Sequence, residues 1–229
     1  MTETVLITGA NRGIGLELVR QYVQDGWRVF AGCRQPEKAH DLNALASRGE
    51  LIVQPLDVTD ARQIENLRSA VGDTPIDVLI NNAGTYGQKN GGFGRTDVVA
   101  WEEAFRINII AVMRMMEIFA NAVATGHGII ANMSSKMGSM TDNTSGGSYV
   151  YRSSKAALNA ITVSAARDLE SRGITVVTLH PGWVRTEMGG PNALIDVHES
   201  VSGLRRVIAG LGPEQSGSFL DYRGETIPW

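Results

Sequence analysis

Seven short apolar runs recur along the chain, each followed by polar or glycine-rich residues and then, in most cases, by a stretch with helical spacing. Thr4–Thr8, Trp27–Cys33, Leu51–Pro55, Ile76–Ile80, Gly128–Met133, Ile174–Leu179 and Ser218–Asp221 are too short for buried helices and predict strands. Between them lie amphipathic segments with helical periodicity: Leu16–Trp27, Glu37–Arg48, Ala61–Val71, Asp97–Val123, a helix from about Ser148 to Arg172, and Val197–Leu211. Strands that alternate with helices predict an α/β fold: one doubly wound parallel sheet of about seven strands, helices on both faces, in a single domain over residues 1–229. In such sheets ligands gather outside the carboxyl ends of the strands, so those ends are where candidate chemistry is sought.

Composition narrows the classes. With 229 residues, 43% of them hydrophobic and 20% charged, the chain matches one soluble domain with ample core. A net charge of −3 gives no basic footprint for nucleic acid. A lone cysteine, Cys33, rules out an internal disulfide framework and suits a reducing, cytoplasmic setting; its expected role is packing rather than thiol chemistry. The first residues show neither a charged leader nor a long apolar run, and no stretch is expected to approach the ~20 apolar residues of a membrane span.

The first strand runs into TGANRGIG, Thr8–Gly15, and then into a helix. Glycines let backbone approach a phosphate, and a helix N-terminus offers free N–H groups and a positive dipole. Gly9, Gly13 and Gly15 are spaced G-x3-G-x-G, neither the GxGxxG fingerprint nor a P-loop, so it is the strand–turn–helix context that points to a dinucleotide. At the end of the second strand a carboxylate selects a free ribose 2′-hydroxyl; here Cys33 and Arg34 stand instead, and a guanidinium suits a 2′-phosphate. With Arg12 in the loop, the sequence favours NADP(H) over NAD(H). Asp57 is placed to accept a bond from an adenine amine with Val58 beside the ring, unless it caps the next helix, a task Thr59 or Asp60 can also perform. Asn81–Gly84, NNAG, puts amides and small residues at a strand end facing the crevice, and Thr85–Asp97 reads as a polar, mobile loop over the site. Asn108, inside an apolar helix face, is either a satisfied structural amide or the mark of a bent helix holding a water. Ser134 and Ser135 end the fifth strand, where a hydroxyl can face a carbonyl, and Val184 and Thr186 follow Pro181–Gly182, in position to close over a nicotinamide.

Tyr151 and Lys155 lie four apart, on one face of a helix if the segment is helical. Ser148 is the expected N-cap, which places Tyr151 in the first turn. There the helix dipole and the lysine charge are expected to lower the phenol pKa from its ordinary value and make it a general acid. Tyr149 has Ser153, not a lysine, four residues on.

TGANRGIG, NNAG, Asn108, a serine after the fifth strand, YRSSK and PGWVRT occur in an order that resembles the short-chain dehydrogenase/reductase family over essentially the whole chain. The stretch SSKMGSMTDNTSGGSYVYRSSKAALN is similar to the branch containing C-factor and the sniffer-type carbonyl reductases. The resemblance implies a Rossmann fold, a carbonyl or alcohol substrate, and hydride transfer with Tyr151 as acid/base, Lys155 lowering its pKa and holding the nicotinamide ribose, a serine on the carbonyl, and Asn108 anchoring a water. It implies that Gly9, Asn11, Arg12, Ile14, Asp57, Val58, Asn81, Ala83, Gly84, Val184 and Thr186 line the cofactor, and that the helices carrying Asn108 and Tyr151 pair two or four copies. The family's serine stands about a dozen residues before the tyrosine, a spacing at which this chain has Gly138. Ser139 is the nearer alternative, but Ser135 is preferred because it directly follows the strand and matches the family's S-x-x-G. The segment after Thr186 is short, which implies a small lid and an open pocket. A nucleotide-binding signalling protein of C-factor type, with incidental catalysis, is the alternative reading.

Overall fold

A computed structural model describes residues 2–229; Met1, which begins the stretch read above as lacking a leader, lies outside them. The chain runs β1 (Thr4–Thr8), α1 (Gly13–Gln24), β2 (Arg28–Cys33), α2 (His40–Asn43), β3 (Leu51–Pro55), α3 (Ala61–Val71), β4 (Val78–Asn81), α4 (Val98–Phe105), α5 (Ala111–Ala124), β5 (Ile129–Met133), α6 (Tyr149–Leu169), β6 (Thr175–His180), α7 (Val197–Ala209) and β7 (Phe219–Asp221). The seven strands form one parallel sheet in the order β3-β2-β1-β4-β5-β6-β7. Winding reverses between β1 and β4, which opens a crevice at the carboxyl ends of those two strands.

Both sheet faces are covered, which is why the strands read as unbroken apolar runs. In β1, Val5 and Ile7 pack with α1, α7 and Leu42, while Leu6 between them points to the opposite core, built on α3, α5 and α6. At the end away from the crevice, the buried carboxylate of Asp77 accepts from the Thr4 N–H at 2.6 Å and the His127 N–H at 3.1 Å, tying the starts of β1 and β5 together.

Most strand and helix ends fall within one to three residues of the expected bounds. Two elements differ in kind. Glu37–Arg48 is not one helix but 3₁₀ turns at Pro36–Lys38 and Ala44–Arg48 flanking the single turn α2. Its buried residues, Ala39, Leu42 and Leu45, recur every three positions, the period of a 3₁₀ turn rather than of an α-helix. The expected long helix from Asp97 is continuous from Val98 to Ala124 but contains a π turn at Arg106–Ile110, with Asn108 at its middle. Contrary to the sequence expectation, this segment is long and apolar enough to cross a membrane on length and composition, with a mean hydropathy of 1.5. Over half of that window is buried, and the buried face of α5 forms much of one core.

Replacing Asp77 by alanine leaves the buried Thr4 N–H unpaired. The expected loss is about 1–3 kcal/mol, read as a fall in Tm of about 2–4 °C for each kcal/mol, with the turnover of folded protein unchanged.

Candidate active site

The crevice floor is made of backbone contacts that only glycine allows. Gly9 leaves β1 with φ +66°, and a Cβ there would lie 2.9 Å from the Cα of Ala83, at the exit of β4. A Cβ on Gly15 would lie 2.1 Å from the Gly9 carbonyl oxygen. The Thr8 hydroxyl accepts from the N–H groups of Asn82 and Ala83 at 3.1 and 3.0 Å, while the Asn82 amide donates back to the carbonyls of Thr8 and Gly9. Asn82 is thus the staple across the switch point, a role the sequence reading did not give it although it stands in the amide pair of NNAG.

Arg12 flanks α1 as its N-cap, and among the described residues no side chain caps that helix, so its first N–H groups remain free for an anion. The Arg12 guanidinium pairs with Glu187 of the β6–α7 segment, and Gly13 approaches the Thr186 methyl, so this segment lies over the glycine turn. Asn11 is exposed beside it and Ile14 packs on the core. Val184 is buried and bridges to Ile195.

At the β2–β3 edge, Arg34 is exposed and Asp57 half-buried. Burial pushes the Asp57 carboxyl up, but hydrogen bonds from the Thr59 N–H and hydroxyl, with the charges of Arg34 and Arg106, outweigh it and hold it below its ordinary value. Capping of α3 falls to Asp60, which accepts from the N–H groups of Arg62 and Gln63. Asn81 is buried and donates to Asn132, leaving its own Oδ1 without a partner among the described residues. Asn81 lines a narrow gap together with Thr8, Val58 and Ala83. Free helix N–H groups, close glycine turns, the exposed Arg34 guanidinium at the β2 end and an orphaned acceptor are the donor and acceptor set a phosphorylated dinucleotide needs.

Asn108 is fully buried, and its side chain is committed: Nδ2 donates to the Thr85 carbonyl and to Ser154 Oγ, each at 2.9 Å, and Oδ1 accepts from the Thr85 N–H at 2.9 Å. Gly84 passes so close that a Cβ would lie 3.2 Å from that oxygen. The start of the Thr85–Asp97 loop is therefore pinned rather than free. Tyr86 stacks on Tyr151, with ring centroids 4.5 Å apart and planes 22° apart, and shares a hydrogen bond with Ser148 Oγ at 2.9 Å. Ser148 precedes α6 with φ +47°; bonded to Tyr86, it does not cap the helix as the sequence had implied.

The structure separates the candidate serines. Ser134 donates to Asn159 at 2.7 Å, and Ser139 accepts from the Asp142 N–H, whereas Ser135 accepts from the Met137 N–H at 3.2 Å and stands beside the Tyr151 phenol, close enough to favour its ionised form. Gly138, at the expected serine spacing, packs on α6 so tightly that a Cβ would lie 2.8 Å from the Lys155 carbonyl carbon. Lys155 is buried, donates to the Met133 carbonyl at 2.8 Å and lies 5.8 Å from the Tyr151 ring centre.

The expected low phenol pKa is overturned. Burial pushes the Tyr151 phenol up to about 12; the Ser135 hydroxyl beside it opposes this and the Tyr86 phenol adds to it. Burial likewise pulls the Lys155 amine down to about 8, so it carries less charge to offer the phenol than an exposed lysine. A cavity of about 240 Å³ opens on the other side of α6, lined by Trp101, Met137, Tyr149 and Arg152 and by none of the four catalytic candidates.

Comparison with known proteins places the fold in a family. Residues 3–193 match the model of the short chain dehydrogenase family. C-signal of Myxococcus xanthus is 45% identical over 156 residues, covering 68% of this chain and 93% of that one. Among solved structures, NADPH-bound carbonyl reductase from chicken fatty liver superposes with a TM-score of 0.93 at 34% identity, covering 100% of this chain and 99% of that one. Carbonyl reductase Sniffer of D. melanogaster gives 0.91 at 32% identity with both chains fully covered. From its sheet order, its glycine turn and these matches, the chain belongs to the short chain dehydrogenase family.

Proposed function

We propose that this protein is an NADP(H)-dependent carbonyl reductase. The observation that carries the reading is that Ser135 and Tyr151 stand side by side, with Lys155 one turn along α6, next to a crevice built for a dinucleotide. NADPH, when bound, supplies the hydride that adds to the carbonyl carbon. Tyr151 gives the carbonyl oxygen its proton, and Ser135 donates a hydrogen bond to the same oxygen. A phenol set near 12 is fully protonated at neutral pH, which suits reduction, where an acid is required. Lys155 holds the ribose and offers a charge beside the phenol when the site is filled. Asn108, with its side chain spent, serves a water only through its backbone in the π turn.

Arg34 and Arg12 favour the 2′-phosphate, and the chicken carbonyl reductase compared above, solved with NADPH bound, supports that choice. A second copy of the chain is the proposed partner, across the outer face of the helix on which Val98, Val99 and Ile110 are exposed. A cytoplasmic setting is the proposed location, supported by the single, buried, unpaired Cys33. The likeness to C-signal favours a signalling reading, but the assembled serine, phenol and amine favour catalysis.

Tyr151→Phe tests the central assignment: dinucleotide binding by fluorescence titration persists, while NADPH oxidation on aldehydes, ketones and quinones falls by about 10²–10⁴-fold. Full turnover in this variant refutes the reading. Arg34→Ala weakens NADPH about tenfold or more and leaves NADH within about threefold, because one charge-assisted phosphate contact is lost. In the free protein, the wild-type minus Tyr151→Phe absorbance titration places this phenol at about 12, with no ionisation near neutrality.

A further inference from the structure

Tyr86 lies in a stretch whose polar, glycine-rich composition marks it as loop, yet it packs face to face on the ring of Tyr151. Three features hold it there. Its backbone neighbour Thr85 is clamped on both its N–H and its carbonyl by Asn108. Its hydroxyl bonds Ser148 at the start of α6. Gly87 follows with φ +67°, where a Cβ would lie 2.7 Å from a Val150 methyl, so the chain turns away at once and the ring has one place to go. Asn108 also reaches the backbone of the other tyrosine: it donates to Ser154 Oγ, which in turn donates to the Tyr151 carbonyl at 2.9 Å. One buried amide therefore positions both members of the stack.

We propose that Tyr86 is a positioning residue for the reaction, a flat aromatic wall that fixes the plane of the Tyr151 ring and keeps water from its face. An acid must meet the carbonyl oxygen within hydrogen-bond reach and in line, and a ring free to tilt about its Cα–Cβ and Cβ–Cγ bonds moves the phenol oxygen away from that line. The groups facing Tyr151 are Lys155 from its own helix, the Ser135 hydroxyl from the end of β5 and Tyr86 from the loop after β4. Of these, Tyr86 is the flat one, stacked 4.5 Å from the ring centre, while the Lys155 amine lies 5.8 Å from it. Removing it admits water, eases ionisation of Tyr151 and lowers the pH above which the acid is lost.

The inference rests on Tyr151 being the proton donor. The test compares wild type, Tyr86→Met, Tyr86→Leu and Tyr86→Phe in NADPH-dependent carbonyl reduction across pH, with thermal unfolding and NADPH titration as checks of the fold. Tyr86→Met fills the space without a flat face, and Tyr86→Leu stands in if it does not fold. The expected result is a kcat about tenfold lower, with NADPH affinity kept and the alkaline limb of kcat displaced by about one unit toward lower pH. Tyr86→Phe, which keeps the ring, recovers most of the rate. A limb that stays in place with kcat within about threefold of wild type overturns the proposal, as does a Tyr86→Phe enzyme as slow as Tyr86→Met. A wild-type protein that reduces no carbonyl, or a fully active Tyr151→Phe, sinks the reading beneath it instead.

Discussion

Asn108 is 0% exposed in the π turn, and a buried primary amide must spend its donors and its carbonyl on near neighbours. It spends them on both polar groups of the Thr85 backbone and on Ser154, and so fixes the exit of β4 against the first turn of α6. Those two segments carry the dinucleotide crevice and the phenol. The π turn is the local price of this arrangement: the extra residue per turn lets the helix deliver an amide inward between two apolar stretches that keep their own packing. Loss of the side chain would strand the N–H and the carbonyl of Thr85 at once, and each stranded group costs about 1–3 kcal/mol.

The same burial sets the protonation states. Tyr151 and Lys155 shift in opposite directions and both toward neutrality, the response of two ionisable groups withdrawn from water. The signs are separable. Tyr151 is raised from 10.0 to about 12, so its protonated form stabilises the fold fully below pH 10 and this contribution is lost as pH climbs to 12. Lys155 is lowered from 10.5 to about 8, so the cost of burying its charge is complete below pH 8 and is relieved between 8 and 10.5. Each shift of about two units corresponds to roughly 3 kcal/mol, held in place by packing elsewhere in the core. The free protein is therefore arranged around a neutral acid rather than a ready anion.

Features that depend on local pattern were legible in the chain. The strands of a sheet covered on both faces announce themselves as apolar runs, and the glycines at Gly9 and Gly15 mark backbone contacts that exclude a side chain. The ends of β1, β4 and β5 follow from the same pattern, so the candidate residues fall at one edge of the sheet. What the chain hid was decided by neighbours distant in sequence. The acidity of Tyr151 was misjudged because burial, a tertiary property, overrides the dipole and lysine that sequence makes visible. Ser148 has the composition of a cap, but Tyr86, 62 residues earlier, takes its hydroxyl. Tyr86 itself gave no signal, since an aromatic residue among glycines and polar residues looks like loop until its partner ring is in view.

The displaced serine shows how little the reacting geometry owes to spacing along the chain. Gly138 sits where the family's interval would put a hydroxyl, and any side chain there would strike the backbone of α6 at Lys155. On the proposed assignment the hydroxyl comes instead from Ser135, whose position is fixed from two sides: β5 ends just before it, and it accepts from the Met137 N–H as the N-cap of the Lys136–Gly138 turn. The added residues that follow are folded back on themselves by the Lys136–Asp142 ion pair at 3.2 Å and tied down where Thr141 donates twice to the Trp229 carbonyl. Sheet and helix hold Ser135 and Tyr151 together across this excursion, so a loop can lengthen there without moving the two oxygens apart. The excursion carries Met137, Met140 and Gly146 to the rim of the cavity on the far face of α6, so its length is spent on that surface and not on the distance between the acid and its serine.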